Sequence, residues 1–224
     1  MTEMKIIARI RTELPEKFGV PRQSGLVPQL RGRVIFEPEY RNPDAVRGLE
    51  DFSHIWLIWQ FSRAVREGWS PTVRPPRLGG NRRMGVFATR SPFRPNALGL
   101  SSVRLDRVEL GPALGPVLHV SGADLMDGTP IFDIKPYLPY TDSHPQAAGG
   151  FTDGLAHAPL TVECSPALLE HIPADSREGL LGVLAGDPRP RYQEDPQRVY
   201  GLSFAGHNVK FTVDGDRLTV IAVE

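Results

Sequence analysis

Residues 90 to 101 read Arg90-Ser91-Pro92-Phe93-Arg94-Pro95-Asn96-Ala97-Leu98-Gly99-Leu100-Ser101, two guanidinium groups and an amide set among two prolines. Proline fixes φ at about −65° and keeps the residue before it extended. Ser91 and Arg94 are therefore held extended, and the loop points Arg90 and Arg94 in set directions. A planar guanidinium held this way suits bidentate contact with a carboxylate or a phosphate. The competing reading is a structural loop whose arginines lie in solvent. Asn96 has a competing role too, as a turn residue bonding its own backbone.

The charge around this loop is one-sided. From Phe61 to Arg107 there are ten arginines, no lysine and two acids, Glu67 and Asp106, a net +8 in a chain whose formal net charge is zero. Such a patch implies a polyanion met on one face. Arg77, Arg82 and Arg83 are candidates for contacts with nucleic-acid phosphates, where arginine offers planar two-point binding. A solvated surface is the competing reading.

Other chemistries find less support. Cys164 is alone, so an internal disulfide and a multi-cysteine metal site are excluded. The six histidines show no pair at metal-ligand spacing, and no metal is expected. No G-x-G-x-x-G or P-loop occurs. The longest apolar run, Ile55 to Phe61, is far short of the roughly 20 residues that span a bilayer, and Met1–Ile7 has no leader-like apolar core. A soluble, cytoplasmic protein without a membrane partner is expected.

The elements that position these residues read mainly as strands: 5–11, 32–37, 54–61, 85–90, 98–109, 117–123 and 131–137, separated by turn signals such as Gly79-Gly80-Asn81 and Asp127-Gly128-Thr129-Pro130. Short strands without intervening amphipathic helices predict a barrel or sandwich. Asn42-Pro43 opens one short helix. Trp56 and Trp59 are expected in the core. Two long loops, Glu13–Leu30 and Arg63–Met84, are of a length that usually marks function or disorder. Tyr140–Pro159 reads as a linker. Beyond it come a strand at 160–164, helices at 167–172 and 177–185, and a β-meander at 199–205, 209–213 and 218–223. The fold class is mainly β: a barrel domain over 1–157 and a small α+β domain over 158–224.

Several stretches together carry a family resemblance. They are Arg90-Ser91-Pro92-Phe93-Arg94-Pro95-Asn96; Pro21-Arg22-Gln23; Ala45-Val46-Arg47-Gly48-Leu49-Glu50 with Phe52-Ser53-His54; Trp69 to Gly80; and Asp124-Leu125-Met126-Asp127-Gly128-Thr129-Pro130 followed by Asp133-Ile134-Lys135-Pro136-Tyr137. In order and spacing these resemble the TsaA-like, or TrmO, family over residues 5 to 140, and the last strands resemble the extra domain of bacterial members. The chain departs from the family pattern at Thr12-Glu13-Leu14-Pro15, where relatives commonly have Ser-Pro, and at Ala97-Leu98, where they often have Pro-Ile. Neither change touches a charged candidate.

The resemblance implies a β-barrel methyltransferase that uses S-adenosylmethionine and works as a homodimer. The implied substrate is tRNA carrying N6-threonylcarbamoyladenosine next to the anticodon, methylated on the exocyclic nitrogen. The implied donor site comprises Pro21, Arg22, Gln23, Ser62, Arg63, Arg90, Leu100, Asp124, Leu125, Met126 and Asp127, with backbone groups around Gly128 on the adenine edge and the barrel domain sufficient for binding. Arg94 and Asn96 are the substrate-contact candidates in the anticodon stem-loop. Asp127, Asp133, Lys135 and Tyr137 are candidates for the catalytic step. Asp127 also reads as a turn former and Tyr137 as a core residue. The acceptor nitrogen belongs to a urea and must lose its proton; Asp127, Asp133 or the substrate itself could take it. The alternative function is a non-catalytic RNA-binding barrel. A hydrolase or lyase would need a His–carboxylate or metal constellation, and the spacing shows none.

Overall fold

The computed structural model describes residues 4–75, 82–154, 158–189 and 195–224. Twelve strands are present among them. β1 (Ala8–Thr12), β2 (Arg31–Phe36), β3 (His54–Gln60), β6 (Leu98–Gly111), β7 (Gly115–Ser121) and β8 (Pro130–Pro136) close into an antiparallel barrel in the order β1-β2-β7-β6-β3-β8. The barrel shuts through a short seam, Ala8 opposite Ile131 and Arg9 opposite Pro130. A two-stranded ribbon, β4 (Thr72–Val73) with β5 (Met84–Gly85), stands outside it.

Period-two alternation decides which side chains fill the barrel. On β3, Ile55, Leu57 and Trp59 face inward and are buried; on β6, Gly99, Ser101, Val103 and Leu105 do the same. Gly99 is obligatory: a Cβ there would lie 2.3 Å from the Trp59 indole. Trp56, expected in the core, is instead half-buried on the outer face, because β3's inward positions are already taken. It packs against Tyr137 at 5.6 Å and donates from Nε1 to Asp142 Oδ2 at 2.8 Å.

The strand predicted at 85–90 does not form. Only Met84 and Gly85 pair, and Val86–Ala88 turn as a 3-10 segment closed by Thr89, whose hydroxyl donates to the Val86 carbonyl at 2.9 Å. The helix expected after Asn42 is a single 3-10 turn, Pro43–Val46, with the Asn42 side chain accepting from the Asp44 N–H as expected of a cap.

The stretch read as a linker holds a short helix, α1 (Pro139–Asp142), and a 3-10 turn at Gly150–Thr152. Beyond it, β10 (Tyr200–Phe204), β11 (His207–Asp214) and β12 (Arg217–Val223) form the meander, and β9 (Thr161–Glu163) adds in parallel to β12. α3 (Arg177–Ala185) covers this sheet with Leu180, Val183 and Leu184. The predicted helix 167–172 is shorter: α2 spans Pro166–Leu169, capped by Ser165, and tightens into i→i+3 bonds before Pro173, which disfavours helix at Ile172.

The loop Glu13–Leu30 is a strap held between the two units. Leu14, Val27 and Leu30 are buried in the second core, among Ile172, Leu180, Leu202 and Phe204. The Glu13 carbonyl accepts from the Ala205 N–H at 2.9 Å, and Ser176 and Ser203 donate to Glu13 and Glu16. On its other side the strap is bonded to the barrel rim: Gly25 N–H to Gly122 O, Gly122 N–H to Leu30 O and Asp127 N–H to Leu14 O, each 2.8 Å. Helix α3 approaches closely only because residue 182 is glycine; a Cβ there would sit 2.6 Å from Val27 Cγ1. Gly182→Val is expected to lower stability by about 1–3 kcal/mol, the cost of overpacking. The check is chemical denaturation, together with faster proteolysis within residues 13–30 of the native variant.

Candidate active site

Strand direction puts most of the donor candidates at one end of the barrel. β3 runs to Gln60 and is followed by Ser62 and Arg63; the antiparallel β6 and β8 begin there, at Leu98 and Pro130. The loop 90–97 therefore enters at the same end as the turn Asp124–Asp127. The strap brings Pro21-Arg22-Gln23 to it as well, and Arg90 Nη1 donates to Gln23 Oε1.

A hydrogen-bond chain links this rim to the barrel interior. Trp59 Nε1 donates to Ser101 Oγ at 2.9 Å, and Ser101 donates to Asp124 Oδ1 at 2.6 Å. Burial pushes the Asp124 carboxyl up; the Ser101 bond and the charge of Arg90 pull the other way. A carboxylate, a guanidinium and an amide thus converge at one rim, which fits a ligand carrying both ammonium and carboxylate charges together with hydroxyl groups.

Other candidates occupy different settings. Leu125 is 1% exposed and packs in the barrel core, so its side chain has no access to a ligand. The backbone around Gly128 is already committed: its N–H donates to Ile10 O at 2.8 Å and its carbonyl accepts from Arg9 at 3.2 Å. Asp127 accepts from the Thr12 N–H at 3.0 Å and from Arg11 Nη1 at 3.2 Å, engaging both oxygens. Leu100 is exposed on the outer face of β6, opposite Ile58. Arg94 Nη1 donates to the Thr89 carbonyl at 2.8 Å, which ties the guanidinium to its own loop; Asn96 is exposed. Arg82 and Arg83 are exposed beside β5, and Arg77 lies outside the described residues.

The four catalytic candidates do not meet within one chain. Asp127 lies at the donor end. Asp133 pairs with Lys135 at 3.0 Å on the barrel's outer face, and Tyr137 lies at the far end of β8 beside His54 and Trp56. At about 3.3 Å per residue, the six steps from Ile131 to Tyr137 span roughly 20 Å. Sequence reasoning missed Trp59 and Ser101 as partners of the Asp124 site; the register of β3 against β6 decides this, and local sequence carries no signal of it. It also missed the contact of His119 Nε2 with Glu109 Oε2 at 2.8 Å, which lies toward the β6–β7 hairpin, remote from this rim. Among the described residues, no three His, Cys, Asp or Glu side chains gather as a metal site.

A closed antiparallel barrel with a charged rim and an appended α+β unit defines the class, and comparison with known proteins makes it specific. The model of the tRNA-methyltransferase O N-terminal domain matches residues 9–143, and that of the TrmO C-terminal domain matches 157–224. The chain belongs to the tRNA-methyltransferase O family. The tRNA (adenine(37)-N6)-methyltransferase of Escherichia coli K12 is 42% identical over 226 residues, covering 97% of this chain and 96% of that protein. A Pseudomonas aeruginosa relative, named for S-adenosylmethionine-dependent methyl transfer, is 44% identical over 204 residues, 88% of this chain and 86% of its own. The crystal structure of TrmO from Pseudomonas aeruginosa superimposes with a TM-score of 0.79 at 34% identity, covering 100% of this chain and 99% of that one.

The raised Asp124 carboxyl has a consequence for stability. A carboxyl whose pKa is higher folded than unfolded favours the native state most at acid pH, below its unfolded value, and that contribution is lost as pH climbs through the folded value. Asp124→Asn keeps an acceptor for Ser101 and removes the charge. The stability of the variant relative to the native chain is therefore expected to rise as pH climbs through the carboxylate range and then level off. Denaturant unfolding at a series of pH values checks this; a pH-independent difference would contradict it.

Proposed function

We propose that this chain is an S-adenosylmethionine-dependent tRNA methyltransferase that methylates the exocyclic nitrogen of the N6-threonylcarbamoyladenosine next to the anticodon. Family membership over both parts of the chain carries the activity and the donor. The observation that supports the location is the convergence of Gln23, Arg90 and Asp124 at one barrel rim, continuous with the arginine-rich loop 90–97. S-adenosylmethionine, when bound, supplies a methyl group on a sulfonium centre. Arg90 and Gln23 would hold its amino-acid end and Asp124 its hydroxyl or ammonium groups. The clustered arginines, Arg82 and Arg83 among them, attract the tRNA backbone. Arg94, held by Pro92, Pro95 and the Thr89 carbonyl, keeps donors available for the threonyl carboxylate. Much of the rate then comes from alignment of donor and acceptor.

Homodimer assembly is part of this reading. The roughly 20 Å between the donor rim and Tyr137 within one chain is bridged if Lys135 and Tyr137 of one copy meet the donor rim of another. The exposed Leu100 on the outer barrel face supplies apolar contact area. No helix among the described residues is long and apolar enough to cross a membrane, and a tRNA substrate agrees with a cytoplasmic setting.

The decisive experiment is mass spectrometry of nucleosides from threonylcarbamoylated tRNA incubated with protein and donor. A gain of one methyl on that nucleoside is expected. Binding of tRNA and donor without any methyl gain would instead support a non-catalytic RNA-binding barrel. Shared sites make a second prediction. Arg90→Ala and Lys135→Ala proteins, each with low turnover, should regain activity when mixed, up to about a quarter of native if subunits exchange at random. No recovery in a mixture shown to exchange subunits would place both residues in one chain's site.

A further inference from the structure

The loop 90–97 also borders a second cluster. Phe87 is 71% exposed and Trp69 53% exposed, and their rings stand 6.0 Å apart at 31°. The Arg66 guanidinium lies over the Phe93 ring at 3.9 Å, and that of Arg94 lies 5.9 Å from the Phe87 ring. A cleft of about 290 Å³ opens among Arg66, Glu67, Trp69, Phe93 and Arg94. Large exposed aromatics gathered on one patch mark an interaction surface. Here they are set among arginines in a segment of net +8, with Glu67 the only acid lining the cleft among the described residues. Charge complementarity selects a polyanion, and flat rings beside guanidinium planes select its bases, since unpaired RNA bases stack on such surfaces. The volume lies at the lower edge of the range for small-molecule pockets, roughly 300–1,000 Å³, which leaves room for a nucleobase.

Resting on the methyltransferase reading above, we infer that Trp69, Phe87 and Phe93 with Arg66 form a stacking site for an unpaired nucleobase flanking the acceptor adenosine in the anticodon loop. Ser91 and Pro92 of one loop separate the two functions. Arg90 faces Gln23 and the donor candidates, while Phe93 and Arg94 face the aromatic cleft. A flanking base held in the cleft fixes how far the acceptor is drawn toward the rim, and the site discriminates an open anticodon loop from duplex RNA.

The test uses the full chain and a synthetic anticodon stem-loop RNA. Stacking on Trp69 should quench tryptophan emission on binding, and Trp69→Phe should remove most of that quench while keeping RNA affinity within about threefold. Trp69→Ala with Phe87→Ala should weaken binding about five- to a hundredfold, in the range of lost base stacking. The dependence on salt should stay parallel to that of the native chain, because no phosphate contact is lost. Donor affinity should not change.

Native-like RNA affinity in the double variant would overturn the inference, and so would an equal quench in Trp69→Phe. The quench comparison stands even if the double variant fails to fold. A fall in RNA affinity that tracks dissociation to monomers in sedimentation would overturn it as well, assigning the patch to contact with a second copy. If the native chain methylates tRNA and only the aromatic variants behave as native, the stacking site alone is wrong. If the native chain transfers no methyl, the reading it rests on fails with it.

Discussion

The Trp59–Ser101–Asp124 chain is the interaction on which the rest of the barrel depends. A buried indole N–H finds its acceptor in the Ser101 hydroxyl, and that hydroxyl finds its own in the part-buried Asp124 carboxyl. Such a network holds only with the register fixed. Gly99 must lie flat beneath the indole, Ser101 must point inward two residues later, and the rim turn must deliver Asp124 to meet it. The same turn, bonded through Gly122 and Asp127 to the strap, sets where Gln23 stands. A core polar network thus doubles as the frame of the candidate site.

Burial of Asp124 has two sides. Desolvation disfavours its charge, and Arg90 compensates from the rim. The Ser101 hydroxyl on β6 supplies a larger compensation than the exposed Arg90 on its loop, so barrel wall and loop share the electrostatic balance of the site. A zwitterionic ligand entering there replaces water around charges already arranged in opposed pairs, which keeps the reorganisation on binding small.

Much of this was legible in the sequence. An apolar run marked β3, period-two alternation marked β6, turn chemistry marked the final hairpin, and the proline-bracketed arginines marked the loop at the rim. What was not legible depended on contacts distant in sequence. Trp56 and Trp59 share one apolar run; three residues apart on a strand they must face opposite sides, and barrel closure decides which of them faces in. The 85–90 segment has strand composition, but only Gly85 pairs, and Thr89 closes the rest as a turn. Leu125 sits within a motif of candidate ligand residues and is nonetheless core. Asp127, Lys135 and Tyr137 follow one another in sequence yet lie along the length of a strand, because a strand separates what a motif compresses.

The strap also bears on how the chain is made. Leu14, Val27 and Leu30 leave the ribosome early, but the residues that bury them, from Ile172 to Leu218, leave last. The barrel strands can pair while the strap still carries exposed apolar side chains. Nearly the whole polypeptide must then be present before it finds its seat. Contacts of such sequence separation form slowly, and unfinished chains with exposed apolar segments are prone to aggregate. Synthesis of this protein therefore has a vulnerable interval that lasts until residues 172–218 are made, and a chain truncated before them would be a natural client for chaperones that hold extended apolar segments.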